Sequence, residues 1–230
     1  MRLILIRHGQ TPNNIRNLLD TAAPGPGLTP LGEQQAAAVP GAVADQGIDA
    51  LYISNLTRTA LTAAPLAAAR RLDPVVRDGL REISAGELEM KGDMESIMAY
   101  MGALKSWLTG DLSARMPGAD NGFEVLERFD AVVEEASGHE AVAMVSHGAM
   151  IRFWAGHRGM NVDWNDKKYY ELSNTGIVTL EGEPTGSTAR GGWEVRSWQG
   201  APAGGLGDLE HDGPTAEIAA DAILNGHENS

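Results

Sequence analysis

The sequence predicts an α/β fold, a three-layer α/β/α sandwich around a mostly parallel sheet, from two observations. First, short continuous apolar runs at Leu3–Ile6, Leu51–Ile53 and Ala141–Val145 are typical of strands buried on both faces of a parallel sheet. Second, segments with apolar residues at helical spacing alternate with these runs. Strands that alternate with helices indicate a parallel sheet covered by helices on both faces.

The individual elements follow from local signals. Thr29 is a good N-cap and Pro30 suits the first helical position, so a helix is expected from there to Gln46, with a bend or break at Pro40. Further helices are predicted over about 56–71, 94–108, 122–137 and 149–156, with Met98 and Phe123 on buried faces. Later strands are predicted at residues 75–76, 177–180 and 193–198, and a loop runs from about residue 13 to 27.

The domain division follows from composition. Residues 1–199 are predicted to form one domain, since 230 residues with 43% hydrophobic and 21% charged side chains suit a globular α/β protein. From residue 200 onward the chain is rich in glycine, proline and acids, so residues 200–230 are predicted to be a tail with a short helix at about 215–224. Oligomeric state is left open, a homodimer included.

Charge and cysteine content exclude several function classes. A net charge of -13 argues against nucleic acid as the partner, because a phosphate backbone needs a basic surface. The absence of cysteine excludes disulfides, thiolate-bound zinc and a cysteine nucleophile. No apolar run approaches the ~20 residues that span a bilayer, and the N-terminus lacks the layout of a signal peptide. We therefore expect no membrane partner and a cytoplasmic protein.

Polar side chains at the predicted strand ends indicate a binding site for phosphate. The first strand ends in Arg7-His8-Gly9, another ends in Ser146-His147-Gly148, and a third ends at Ser54, with Arg58 one helical turn further on. Parallel strands bring their carboxyl ends to one edge of the sheet, where ligands bind. Guanidinium and imidazole groups there would grip a tetrahedral dianion, and helix N-termini would add N–H donors. Gly9 is expected to let a ligand approach the backbone.

A histidine in such a site could itself take the phosphoryl group, because neutral imidazole is nucleophilic. A general acid is then needed for the leaving oxygen. The candidates are three glutamates in the loop from Leu80 to Met90, namely Glu82, Glu87 and Glu89. Arg152 is placed on a solvated helix face.

Taken together, the motifs resemble those of the histidine phosphatase superfamily, also called phosphoglycerate mutase-like. The resemblance covers roughly residues 3 to 180, in the expected order. It rests on Leu5-Ile6-Arg7-His8-Gly9-Gln10-Thr11 with Asn14, Leu28-Thr29 with Gly32 and Gln35-Ala36, Ser54-x-Leu56-x-Arg58 with Thr62-Ala63, Leu80-x-Glu82 with Gly86 and Glu89, and Ser146-His147-Gly148. Gly148 indicates the branch with its proton donor in the Glu82 loop, since another branch has an acid after the histidine.

The resemblance implies a role for each matched residue. His8 would be the catalytic nucleophile that forms phosphohistidine, and Glu82 would be the acid and then the base. Phosphate would be bound by a set of polar residues, namely Arg7, Asn14, Arg58, His147 and Gly148. Family members need neither metal nor other cofactor. Met90 departs from the family, which often has glycine there, and the segment from about 85 to 123 would form a lid over the pocket.

The function implied is metal-independent hydrolysis of a small phosphorylated metabolite. An insertion rich in basic and aromatic residues, expected of a cofactor-dependent phosphoglycerate mutase, is not evident, which favours a phosphatase. Two alternatives stay open: mutase-type phosphoryl transfer, and a noncatalytic protein that binds a phosphorylated ligand. A P-loop and a serine-hydrolase elbow are excluded, because neither glycine pattern occurs.

Overall fold

A six-stranded sheet forms the centre of the computed structural model, which describes residues 1–164, 166–184, 191–207 and 213–214. The strands are β1 (Arg2–Arg7), β2 (Ala50–Ile53), β3 (Val75–Val76), β4 (Ala141–Ser146), β5 (Ile177–Gly182) and β6 (Trp193–Gln199). Their order is β3-β2-β4-β1-β5-β6. The first four are mutually parallel and the last two pair antiparallel, which confirms the predicted, mostly parallel sheet.

Six α-helices connect the strands in the described part of the chain. They are α1 (Pro12–Ile15), α2 (Pro30–Ala42), α3 (Thr57–Arg70), α4 (Met94–Leu108), α5 (Gly122–Glu135) and α6 (Gly148–Arg158). Thr29 caps α2 as predicted, its hydroxyl accepting from Gly32 N at 3.0 Å. Pro40 lies inside α2 without breaking it, although the helix ends at Ala42 rather than Gln46.

Alternate residues of β1 fill two separate apolar layers. Leu3 and Leu5 belong to a core packed with α4, α5 and α6. Ile4 and Ile6 belong to the opposite core, which α2 and α3 cover. All four side chains are 0% exposed, as the period of two in a strand requires when both faces are covered. The predicted three-layer sandwich is therefore confirmed.

Several local predictions are wrong. The loop after residue 11 begins with the short helix α1, because Thr11 and Asn14 form a capping box. Met98 and Phe123 are 43% and 50% exposed, since each lies at the edge of its helix's apolar stripe. Arg152 is buried, and its Nη1 donates to Tyr170 O at 3.3 Å. The predicted helix at 215–224 lies outside the described residues.

Among the described residues, no helix is both long and apolar enough to cross a bilayer. The segment after β6 contacts the fold at residues that the structure describes. Ala203 is buried in the core beside α2, and Gln35 Nε2 donates to Leu206 O at 2.8 Å. The division at residue 199 stays a prediction.

Candidate active site

Strand register brings the predicted site residues together. Arg7 pairs with Ser146 across β1 and β4, and Ile53 pairs with Val145 across β2 and β4. Residues that follow these pairs therefore emerge at the same edge of the sheet. The pairing continues one step further, because His8 N donates to Ser146 O at 3.0 Å. His8 and His147 lie side by side as a result, with ring centroids 5.2 Å apart.

His8 is held as a neutral imidazole with a defined tautomer. Its Nδ1 lies 2.8 Å from Gly9 O, and a carbonyl oxygen only accepts, so Nδ1 must carry the proton. Burial, followed by the positive charges of Arg58 and Arg7, holds the pKa of His8 well below its usual value. A neutral ring with a proton on Nδ1 has its lone pair on Nε2. That atom is therefore the nucleophilic position.

His147 lies beside His8, is fully buried, and is not among the residues that line the described cleft. Its Nε2 lies 2.8 Å from Ser54 Oγ, while Nδ1 has no hydrogen-bond partner in the described part of the chain. Burial, and then Arg58, holds the pKa of this ring well below its usual value. When Ser54 donates to Nε2, Nδ1 carries the proton and has a hydrogen bond to give to a ligand.

The two arginines are buried around the histidines. Arg7 is anchored through Nη1, which donates to Leu172 O at 2.6 Å. Arg58 is anchored through Nη2, which donates to Asp20 O at 2.8 Å. Its Nε and Nη1 have no hydrogen-bond partner among the described residues. Because buried guanidinium N–H groups are costly to leave unpaired, Arg58 is prepared to bind an anion.

Asn14 has its amide oxygen fixed by other residues. Thr11 N and Thr11 Oγ1 donate to Oδ1 at 2.9 and 3.1 Å, and Asn174 Nδ2 donates to it at 3.4 Å. The oxygen is thus occupied by donors. Asn14 lines the cleft, and its Nδ2 group remains as the donor that can reach a bound oxyanion.

Glu82 is held by the start of α6. Its Oε1 accepts from Ile83 N and Met150 N, both at 2.9 Å, and its Oε2 accepts from Ala149 N at 3.2 Å. These bonds fix the carboxyl group at the wall of the cleft. They also occupy the N–H groups of Ala149 and Met150 in the first turn of α6, while the role of Gly148 in phosphate binding stays a prediction.

The other two glutamates differ from Glu82 in position. Glu89 accepts from Thr21 N at 2.8 Å, Ala22 N at 3.0 Å and the Thr21 hydroxyl, so it ties the loop before α2 to the Glu82 loop. Glu87 is exposed and packs beside Gly118. Of the three candidates, Glu82 alone is among the residues that line the described cleft.

The cleft encloses about 450 Å³, counting its open mouth. Six of the predicted residues line it: Arg7, His8, Asn14, Arg58, Glu82 and Gly148. Sequence reasoning missed other lining residues, which are Thr11, Leu18, Leu19, Asp20, Thr21, Tyr100, Gly213 and Pro214. Most of these residues lie in irregular loops, and Tyr100 lies on a helix, so no periodic pattern in the sequence indicates that they line a cleft. Thr11 is the one among them that belongs to a motif matched in the sequence.

At Gly9 and Gly148, neighbouring atoms leave no room for a side chain. A Cβ at Gly9 would lie 2.7 Å from Gly32 O at the start of α2, so close packing requires glycine here, and ligand access to the backbone stays a prediction. A Cβ at Gly148 would lie 3.0 Å from Arg7 Nε. Gly148 therefore keeps space for the Arg7 guanidinium beside the cleft.

A family model agrees with this arrangement. The model of the histidine phosphatase superfamily, branch 1, matches residues 3–199. The chain belongs to the histidine phosphatase superfamily. Its membership confirms the predicted family and the phosphoglycerate mutase-like fold class.

Relatives of this histidine phosphatase superfamily protein include enzymes and a longer protein. A PE-PGRS family protein of Mycobacterium tuberculosis is 37% identical over 224 residues, which are 86% of this chain but 36% of that protein. The chain thus spans about a third of that relative's length. The adenosylcobalamin/alpha-ribazole phosphatase of Escherichia coli K12 is 30% identical over 155 residues, covering 66% of this chain and 75% of the enzyme.

Solved structures share the fold. A mycobacterial glucosyl-3-phosphoglycerate phosphatase in complex with VO3 superimposes with a TM-score of 0.66 at 24% identity, covering 86% of this chain and 98% of that one. The alpha-ribazole phosphatase of Shigella flexneri gives 0.63 at 24% identity, covering 86% and 96%. At such identities the likeness concerns the fold.

Proposed function

We propose that the protein is a metal-independent phosphatase that hydrolyses a small phosphorylated metabolite through a phosphohistidine intermediate on His8. The observation that carries this proposal is the hydrogen bond from His8 Nδ1 to Gly9 O. It leaves the Nε2 lone pair of a neutral ring available at a cleft lined by two arginines. Membership of the family supports the same chemistry.

In the first step, His8 Nε2 attacks the phosphorus atom and the ester P–O bond breaks. Arg7 and Arg58 bind the phosphoryl oxygens, with further hydrogen bonds from Asn14 Nδ2 and His147. Glu82 donates its proton to the leaving oxygen, which departs as an alcohol. The arginines neutralise charge on the transferring group, so the step has no need of a metal ion.

In the second step, water attacks the phosphohistidine and the P–N bond breaks. Glu82, now a carboxylate, takes the proton from the water. Inorganic phosphate leaves, and His8 returns to the neutral form from which it started. Glu82 is suited to both steps because its backbone hydrogen bonds keep it in one place while its charge changes.

We infer a small metabolite as substrate because the cleft, about 450 Å³ with its open mouth, has the size of a small-molecule pocket. A net charge of -13 disfavours nucleic acid. A cytoplasmic location, the absence of a membrane partner and a homodimer stay predictions. That residues 85–123 form a lid also stays a prediction. Tyr100 of α4 is the residue of this segment that lines the cleft.

The test is to trap the intermediate. The protein is mixed with p-nitrophenyl phosphate, quenched in alkali to preserve phosphohistidine, digested and analysed by mass spectrometry, while phosphate release is measured in parallel. We expect phosphate on the peptide that contains His8, and no turnover by His8→Ala. The exposed His139 provides a matched control, since His139→Ala should retain activity.

Full activity of His8→Ala would contradict the proposal. Isomerisation of 3-phosphoglycerate without net phosphate release would instead indicate a mutase. Tight binding of phosphate without turnover by the unmodified protein would indicate a noncatalytic binding protein.

A further inference from the structure

Asp20 adds a negative charge to the wall of the phosphate cleft, beside Arg58, and takes no part in the proposed proton transfers. Its side chain is 9% exposed, and it lines the cleft with Leu18, Leu19 and Thr21. Glu82, the other carboxylate in that lining, has a role as the proton donor. Asp20 therefore needs an explanation of its own.

The contacts of Asp20 hold its carboxylate in place without satisfying it. Oδ2 accepts from Asn13 Nδ2 at 3.0 Å and lies 3.5 Å from Arg58 Nη1, which is beyond a good hydrogen bond. Oδ1 accepts no hydrogen bond from the described residues. Oδ1 is not among the buried polar atoms that lack a hydrogen-bond partner, so it is open to the cleft, where a ligand group that donates a hydrogen bond can reach it.

The charge of Asp20 also acts on any group beside the bound phosphate. A carboxylate on the substrate would be repelled at short range in a partly buried site, whereas an ammonium group would be attracted. Asp20 lies beside Arg58, with Oδ2 3.5 Å from Nη1, and both residues line the cleft, so an ammonium group next to the ester of a phosphate bound at Arg58 would come near the Asp20 carboxylate.

We propose that Asp20 is a specificity-determining residue that selects phosphate esters of small amino alcohols and rejects phosphate esters of hydroxy acids. This inference rests on the proposed phosphatase function of the same site. It names the class of substrate that the cleft accepts.

The substitution Asp20→Asn isolates the charge. Arg58 is anchored by the backbone carbonyl of Asp20, at 2.8 Å, and that bond does not depend on the side chain. Asparagine also keeps an oxygen that can accept from Asn13. The phosphate-binding guanidinium should therefore stay in position while the negative charge is removed.

The experiment uses three substrates with the same two-carbon skeleton: O-phosphoethanolamine, ethylene glycol monophosphate and phosphoglycolate. p-Nitrophenyl phosphate serves as a reporter of phosphatase activity without a charged side chain. For the unmodified protein we expect kcat/KM to be at least about tenfold higher for phosphoethanolamine than for phosphoglycolate, with the glycol ester between them. Asp20→Asn should reduce this ratio by about tenfold, and dividing each kcat/KM by that of the reporter for the same protein removes any change in turnover that all substrates share.

Asp45→Asn is the matched control. Asp45 is exposed and lies outside the residues that line the cleft, so this variant removes the same charge from the whole protein and should keep the preference. Asp20→Ser replaces Asp20→Asn if the latter does not fold, as judged by circular dichroism.

The outcomes separate the two proposals. Turnover of the reporter with no preference for the ammonium ester, or a preference that Asp20→Asn retains, would overturn the role of Asp20 and leave the phosphatase function standing. Absence of turnover for all four compounds would overturn the phosphatase function itself.

Discussion

The rings of His8 and His147 lie 5.2 Å apart between centroids and are tilted by 58°, at the ends of two paired strands. Burial and the charge of Arg58 hold the pKa of both rings well below the usual value. Two adjacent imidazoles can therefore stay neutral together, which keeps one nucleophilic and lets the other donate through a single N–H.

The neutral histidines predict a pH dependence of stability. Below about pH 6.5 the unfolded chain binds protons on these residues that the folded protein does not bind, so the free energy of unfolding should fall by up to about 1.4 kcal/mol per pH unit for each histidine. The fall continues until the lowered folded pKa is reached. Urea unfolding at pH 7.5, 6.5 and 5.5 measures the slope.

His147→Asn should flatten that slope by about one proton relative to the unmodified protein, and His139→Asn should keep it, since the His139 side chain is exposed. The carboxylates contribute equally to all three proteins and cancel in the comparison. Equal slopes for His147→Asn and the unmodified protein would be inconsistent with a neutral buried His147.

Glu82→Gln tests whether Glu82 donates a proton to the leaving oxygen, when substrates whose leaving groups differ in their need for that proton are compared. For an alkyl phosphate, whose leaving oxygen needs a proton, kcat should fall by about 10²- to 10⁴-fold. p-Nitrophenolate leaves without a proton, so that substrate should give a rapid burst of nitrophenol followed by slow turnover, as phosphohistidine accumulates. Stopped-flow absorbance records the burst. Glu87→Gln, at an exposed position, should behave as the unmodified protein, and the reverse result would move the acid role to Glu87.

Gly213 limits the space over Asn14. A Cβ there would lie 2.8 Å from Asn14 Nδ2, so Gly213→Ala should displace the amide from the phosphate position. Since a hydrogen bond to a charged group is worth about 1.5–3 kcal/mol, kcat/KM for p-nitrophenyl phosphate should fall by about tenfold. Gly205→Ala is the control, because Gly205 also has a positive φ, of 69°, but no atom within 4 Å of its Cβ position. A higher kcat/KM for Gly213→Ala would mean that the chain at residue 213 moves instead of Asn14.

Met90 adopts the left-handed backbone region, with φ of 60°, and its side chain is 49% exposed. Replacement by glycine removes a conformational cost of about 1–2 kcal/mol against a smaller entropic loss of about 0.5–1 kcal/mol. Met90→Gly should therefore raise the free energy of unfolding by up to about 1 kcal/mol, measured with urea. Met98→Gly, at a similarly exposed position within α4, should lower it by about 1 kcal/mol. A loss of stability in both variants would contradict the strain at Met90.

The sequence predicted those parts of the site that regular structure carries. Arg7, His8 and His147 follow apolar strands whose pairing is dictated by burial on both faces, so their meeting could be expected. Asp20 and Gly213 could not, because each lies in irregular chain whose path depends on long-range contacts, such as the bonds from Thr21 to Glu89. The predicted exposure of Arg152 is wrong because the sequence of its helix does not indicate that Tyr170 O lies against the guanidinium and accepts a hydrogen bond from it.

The pairing of Arg7 with Ser146 also governs when the protein becomes competent during synthesis. β1 comes well before its neighbours β4 and β5 in the chain, so both of its hydrogen-bonding edges stay unpaired until those strands have been made. Contacts between distant segments form slowly and leave strands exposed meanwhile. A nascent chain cannot bring His147 beside His8 before β4 is in place, so completion of the sheet and onset of activity should coincide.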